Sequence, residues 1–134
     1  MFFDIEPKSG VPIYEQIVAQ VTFGVASGAL EPGDKIDSVR DLAKLFMVNP
    51  NTVARAFQEL ERRGVLEARR GIGMAVTRDA PDVCREQRQE IIRERIRQAL
   101  REAVSSALPL PDIRKLIDEE LNHVNGEHRT RDKR

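Results

Sequence analysis

The feature that most constrains this chain is the junction Met47-Val48-Asn49-Pro50, where one short amphipathic pattern ends and another begins. At the first position of a helix a proline loses nothing by lacking an N–H, and its fixed φ is already helical, so Pro50 marks a start. Asn49 before it is a good N-cap. Val53, Ala56, Phe57 and Leu60 then share one face at about 100° per residue, and Arg63-Gly64 stops the helix. Upstream, Ser38 caps a shorter helix, with Asp41 three residues on carrying negative charge into the first turn. Val39, Leu42, Ala43 and Phe46 give that helix an inward side. Two helices joined by a turn of three or four residues predict a helix-turn-helix.

The flanks extend the pattern. After Pro12, residues Ile13, Ile17, Val21 and Val25 recur every four positions, and Gly28 ends the helix they predict. Gly28-Ala29-Leu30-Glu31-Pro32-Gly33-Asp34 reads as turn chemistry. Beyond the second helix, Val65-Leu66-Glu67-Ala68 and Met74-Ala75-Val76-Thr77 are short strands around Arg69-Arg70-Gly71-Ile72-Gly73, a hairpin that would form a wing. The expected fold class is mainly α with a small β-hairpin wing: a winged helix-turn-helix over residues 1–78. Asp79-Ala80-Pro81-Asp82 (79–82) reads as a linker. A two-helix dimerisation or effector segment is expected over 83–124, its long helix running from about Val83 to Leu108 and its shorter one from about Asp112. Residues 125–134, opening with Asn125-Gly126, read as a frayed, disordered polar tail.

Composition narrows the function. A chain of 134 residues has room for one domain and an appendage, which excludes a large two-domain enzyme. No apolar run approaches the roughly 20 residues that span a bilayer. Met1-Phe2-Phe3-Asp4-Ile5-Glu6 has no signal-peptide character, and the lone Cys84 can form no internal disulfide, so a cytoplasmic location without membrane contact is expected. Formal net charge is zero, which at first argues against nucleic acid. The average hides a segregation. Residues 1–37 carry two basic and six acidic side chains, whereas residues 38–78 carry eight basic and four acidic ones. A local basic surface is therefore available on a neutral protein.

That surface has base-reading residue types on it. Opposite the buried stripe of the second helix stand Asn51, Arg55, Gln58 and Arg62, with Thr52 on the flank. Arginine can donate two hydrogen bonds to guanine, asparagine or glutamine can pair with adenine, and threonine can meet a thymine methyl or a phosphate. Residues near the helix N-terminus reach the bases first, which ranks Asn51, Thr52 and Arg55 above Gln58 and Arg62. Arg40 could hold a phosphate, and Arg69 and Arg70 at the wing tip could approach the backbone or minor groove. The bland alternative for each is a solvated surface charge.

Taken together, these residues resemble the GntR family of bacterial repressors, and within it the short YtrA-like branch. The resemblance runs from Pro12-Ile13-Tyr14-Glu15-Gln16-Ile17 through Gly28-Ala29-Leu30-Glu31-Pro32-Gly33-Asp34-Lys35-Ile36 and Ser38-Val39-Arg40-Asp41-Leu42-Ala43. It continues through Val48-Asn49-Pro50-Asn51-Thr52-Val53 and Glu59-Leu60-Glu61-Arg62-Arg63-Gly64-Val65-Leu66 to Gly71-Ile72-Gly73. It implies a transcription regulator that binds a palindromic operator on double-stranded DNA as a homodimer, associated with the nucleoid when bound. Ser38, Arg40, Asn49, Asn51, Thr52, Arg55, Gln58, Arg69, Arg70, Gly71 and Gly73 make up the expected DNA-binding set, with Arg40 and Thr52 on positions the family uses for contact. The sequence also departs from the pattern. Pro50 and Ala54 stand where the wider family often has arginine, which shifts base reading toward Asn51 and Arg55. Asp37 replaces the usual proline before Ser38, and the second wing strand reads Met74-Ala75-Val76 instead of ending in Phe-Val.

Dimerisation follows from the residues as well. The C-terminal helices present Ile92, Ile96, Ala99, Ala103, Ile113, Leu116, Ile117 and Leu121 with too little chain left to cover them, so a second copy should do so. The alternative is that both helices pack on their own winged domain. No cofactor is called for. Two helices leave little room for a pocket within one subunit, so a small-molecule effector would have to sit between subunits. His123, His128 and Cys84 match no zinc spacing, and no nucleophile or phosphate-loop motif marks an enzyme. The rival reading from another class is a winged-helix adaptor that binds protein without specific DNA recognition.

Overall fold

A computed structural model describes residues 5–132, in two compact units that divide at Ile91/Ile92. The first unit contains α1 (Ile13–Ala26), α2 (Val39–Phe46), α3 (Pro50–Arg62), β1 (Leu66–Arg69), β2 (Gly73–Val76) and the start of α4 (Ala80–Ser105). The second holds the rest of α4 and α5 (Leu110–Asp132).

In the first unit the apolar faces expected from helical spacing meet in one core: Ile17, Val21 and Val25 of α1, Leu42 and Ala43 of α2, and Val53, Ala56, Phe57 and Leu60 of α3. The hairpin closes it with Val65, Leu66 and Val76. β1 and β2 are antiparallel, with Leu66 opposite Val76 and Arg69 opposite Gly73, so the turn itself is Arg70-Gly71-Ile72. Gly71 at φ 78° and Gly73 at φ 102° take backbone conformations that L side chains rarely adopt.

The wing has a third edge, which begins in the last two residues of the expected turn, Gly33 and Asp34, and runs on to Ile36. Gly33 N–H donates to Val76 O at 2.8 Å, Val76 N–H to Asp34 O at 2.9 Å, and Ile36 N–H to Met74 O at 2.9 Å. The ladder places Lys35 against Ala75. The three residues Lys35-Ile36-Asp37 between that turn and the Ser38 N-cap are too few to show period-2 alternation, so the pairing is invisible in the pattern.

Gln16, a buried polar side chain on α1, explains the ordered approach to that helix. Its Nε2 donates to Glu6 O and Val11 O at 2.9 Å each, and its Oε1 accepts from Glu6 N–H at 2.8 Å. The amide is thus satisfied in place, and it pins the arm before α1.

Three expected boundaries need correction. Residues 79–82 are not a linker: α4 begins at Ala80, and Ala80 and Cys84 are fully buried in the winged core. Pro81 lies in the first turn of that helix, where it breaks no hydrogen bond. Residues 125–134 are not a disordered tail as far as they are described, because α5 continues through Asn125-Gly126 to Asp132. Gly126 costs about 1 kcal/mol against alanine, too little to end a helix that already runs for several turns before it. His123 and Glu127, in contact at 3.1 Å one turn apart, bracket that position. Residues 133–134 lie outside the described part. The long helix also stops earlier than expected, at Ser105, and Ala107 turns the chain at φ 67° instead of continuing the apolar stripe.

Within the second unit Ile113 is buried, while Ile92, Ile96, Leu116, Ile117, Leu121 and Val124 are exposed. Ala99 is exposed and Ala103 half-buried.

Candidate nucleic-acid interface

The caps that define the helix-turn-helix form as local chemistry dictates. Ser38 Oγ accepts from Asp41 N–H at 3.1 Å, which satisfies one of the free donors at the start of α2. α2 ends at Met47, which is left-handed at φ 56° and ψ 45°, and Val48 N–H returns to Ala43 O at 3.0 Å. Asn49 Oδ1 then accepts from Asn51 N–H at 2.8 Å, with Pro50 between them as the first helical residue. Ser38 and Asn49 therefore fix where the two helices start.

The outward side of α3 is as its period requires. Asn51, Arg55, Gln58 and Arg62 are exposed and Thr52 is half-buried. Helices α1, α2, α4 and α5 each carry an acidic residue in the first turn, and α3 carries none. No carboxylate in that first turn offsets the partial positive charge beside Asn51 and Thr52, an arrangement compatible with phosphate.

The arginines differ in what holds them. Arg62 and Arg63 both bond the Glu59 carboxylate, Arg63 Nε at 2.8 Å, and these hydrogen bonds hold the carboxyl at about 2, below its ordinary 4.5. Arg55 instead lies over the Tyr14 ring of α1, its guanidinium carbon 3.8 Å from the ring centroid. On the wing, Arg69 donates to Glu67 Oε1 from Nη2 at 2.9 Å and from Nε at 3.1 Å, which lays its guanidinium along the strand. Arg70 stands exposed at the turn. Arg40 is exposed on the first turn of α2.

Two contributors escaped the sequence reading. Lys35 belongs to the acidic N-terminal segment in the chain, but the third edge of the wing brings it beside Gly73, where its Cε lies 4.0 Å from the place a Cβ would occupy. Tyr14 stands in the Pro12-Ile13-Tyr14-Glu15-Gln16-Ile17 run with no sequence signal for a role of its own. Its aromatic ring, so placed that a turn of α3 puts Arg55 on it, needed the α1 to α3 packing to be seen.

Burial pushes the Cys84 thiol up to about 11, which keeps it protonated. No cluster of metal-ligating side chains occurs among the described residues. No helix among them is long and apolar enough to cross a membrane.

Comparison with known proteins agrees with this geometry. The model for "Bacterial regulatory proteins, gntR family" matches residues 13–76, the span from the start of α1 to the end of the wing. The HTH-type transcriptional repressor YtrA of Bacillus subtilis is 38% identical over 122 residues, covering 91% of this chain and 94% of its own. A GntR family transcriptional regulator from Listeria monocytogenes superposes with a TM-score of 0.62 at 31% identity, over 84% of this chain and 97% of that one. YtrA from Sulfolobus acidocaldarius, a GntR-family transcription factor, gives 0.54 at 29% identity, over 91% and 98%. A 38% identity sustained across nearly both whole chains, on a winged helix-turn-helix fold, places this protein in the GntR family of bacterial regulatory proteins as a YtrA-like, non-enzymatic, DNA-binding transcription regulator.

Proposed function

We propose that this regulator is a repressor that binds a palindromic operator as a homodimer, and that it acts in the bacterial cytoplasm on the nucleoid. The observation that carries the proposal is the row of exposed apolar side chains on the C-terminal helices, Ile92, Ile96, Leu116, Ile117, Leu121 and Val124. Single exposed apolar residues are ordinary, but six on two consecutive helices make an interface in want of a partner. A second copy supplies the same row, and two-fold pairing gives two reading heads and hence a palindrome. The name of the B. subtilis relative, a repressor, supports the sign of regulation.

In this reading Asn51, Thr52 and Arg55 meet base edges, with Gln58 further along the groove. Arg40 and Arg70 grip phosphates, joined by Lys35. Ser38 and Asn49 set the helix starts, and Gly71 and Gly73 let the wing backbone come close. Selection of bound sequences from a random DNA pool, with the mass of the free protein in solution measured alongside, tests the proposal. Inverted repeats whose half-sites are centred about 10 bp or a multiple apart, bound by a dimer, are expected. A monomer that selects a single unrepeated site would refute it.

A further inference from the structure

Arg55 sits differently from its neighbours on α3, and the difference bears on how the operator is read. We infer that Tyr14 is a positioning residue for operator recognition, its ring holding the Arg55 guanidinium ready for DNA. The inference rests on reading α3 as the recognition helix.

Three observations carry it. Tyr14 is half-buried and packed against the core, so its ring is a fixed platform. The guanidinium lies on the face of that ring, 3.8 Å from the centroid. The five N–H donors of a guanidinium point outward in its own plane, so stacking on its face leaves them available for guanine O6 and N7 or for a phosphate. A carboxylate partner works in the opposite sense: Glu59 occupies donors of Arg62 and Arg63 and compensates their charge. The ring attracts the cation through its quadrupole and carries no net charge, so Arg55 keeps its full positive charge.

Composition sharpens the point. The chain has one tyrosine and no tryptophan, and an aliphatic side chain would serve a half-buried position on α1. The ring is what the arginine needs. The tyrosine hydroxyl, which donates to Glu15 Oε1 at 3.2 Å, is dispensable for this role. An arginine restrained before binding loses less freedom on meeting DNA, which is the ordinary advantage of preorganisation.

The test is a double-mutant cycle on the full chain with a sequence drawn from the selection above. Tyr14→Phe keeps the aromatic face and should bind within about twofold of the wild type. Tyr14→Leu should bind about three- to fivefold more weakly, the size of an exposed cation–ring contact, and should flatten base preference at the position Arg55 reads. In an Arg55→Ala background, Tyr14→Leu should change nothing further. Equal losses with and without Arg55, or a leucine variant that binds as tightly as the wild type or more so, would overturn the inference. Should the leucine variant fail to fold, Tyr14→Met fills the space with a flexible side chain that has no ring face. A chain that folds with neither would assign Tyr14 to the core and also overturn it. A wild-type protein with no salt-sensitive, sequence-selective binding would remove the DNA reading itself, a result distinct from any of these.

Discussion

At the residue scale, the two cations proposed to meet DNA, Arg55 and Arg70, should fail in different ways. Arg55→Ala removes the group proposed to read a base edge, so affinity for the best sequence should fall by about 1–3 kcal/mol with preference relaxed at one position. Arg70→Ala removes an exposed wing charge, so every sequence should weaken alike and the slope of log affinity against log salt should drop by about 1. Titrations of both variants against matched and scrambled duplexes separate the two, and identical behaviour would contradict the assigned roles. Met47 offers a stability test. It is 92% exposed and left-handed, so its side chain packs on almost nothing while its Cβ strains the backbone. Met47→Gly should stabilise the chain by about 0.5–1 kcal/mol in urea unfolding, the relief of strain outweighing the extra freedom of the unfolded glycine.

At the element scale, α3 carries its own charge pairs. Hydrogen bonds from Arg62 and Arg63 hold the Glu59 carboxyl at about 2 from an ordinary 4.5. A carboxyl depressed on folding stabilises the native state fully above about pH 4.5, and that contribution disappears as pH falls through about 2. The pairs lie at the surface, so the contribution should be below about 1 kcal/mol. Wild type and Glu59→Gln should therefore differ slightly but steadily in stability from pH 5 to 7 and converge near pH 2; a gap that widens with acid would contradict this account. The same elements show what could be read from residues alone. The inward stripes of α1, α2 and α3 were legible because each repeats over two turns or more and is punctuated by Pro12, Ser38 or Asn49-Pro50. The third wing edge, the first turn of α4 and the far end of α5 were not. Each depends on a contact or continuity that Gly, Pro or a short run disguises: Gly33 bonding Val76, Ala80 entering the core behind Pro81, Gly126 carried by its helical neighbours. The candidate site divides the same way. Exposure of Asn51, Arg55 and Gln58 followed from period, whereas the ring beneath Arg55 and the approach of Lys35 to the wing needed three dimensions.

At the scale of the whole molecule, the winged unit should be cut after Ile91 and not after Arg78. A fragment of residues 1–91 keeps Ala80 and Cys84 in the core and should unfold cooperatively, while a fragment of residues 1–78 exposes the surface they cover and should be less stable by about 2–5 kcal/mol. Equal urea midpoints for the two would contradict the placement of α4. The exposed row on the C-terminal helices makes a separate prediction: Ile96→Glu with Leu121→Glu should shift a dimer toward monomer in sedimentation and weaken a palindromic duplex far more than a half-site. The buried thiol at the root of α4 has one more consequence. Because the chain holds a single cysteine, and that sulfur is sealed and protonated, a thiol reagent can modify it only when this root swings open. The rate of labelling is a built-in clock for that opening, and any duplex that favours the closed form should slow it in proportion to its occupancy.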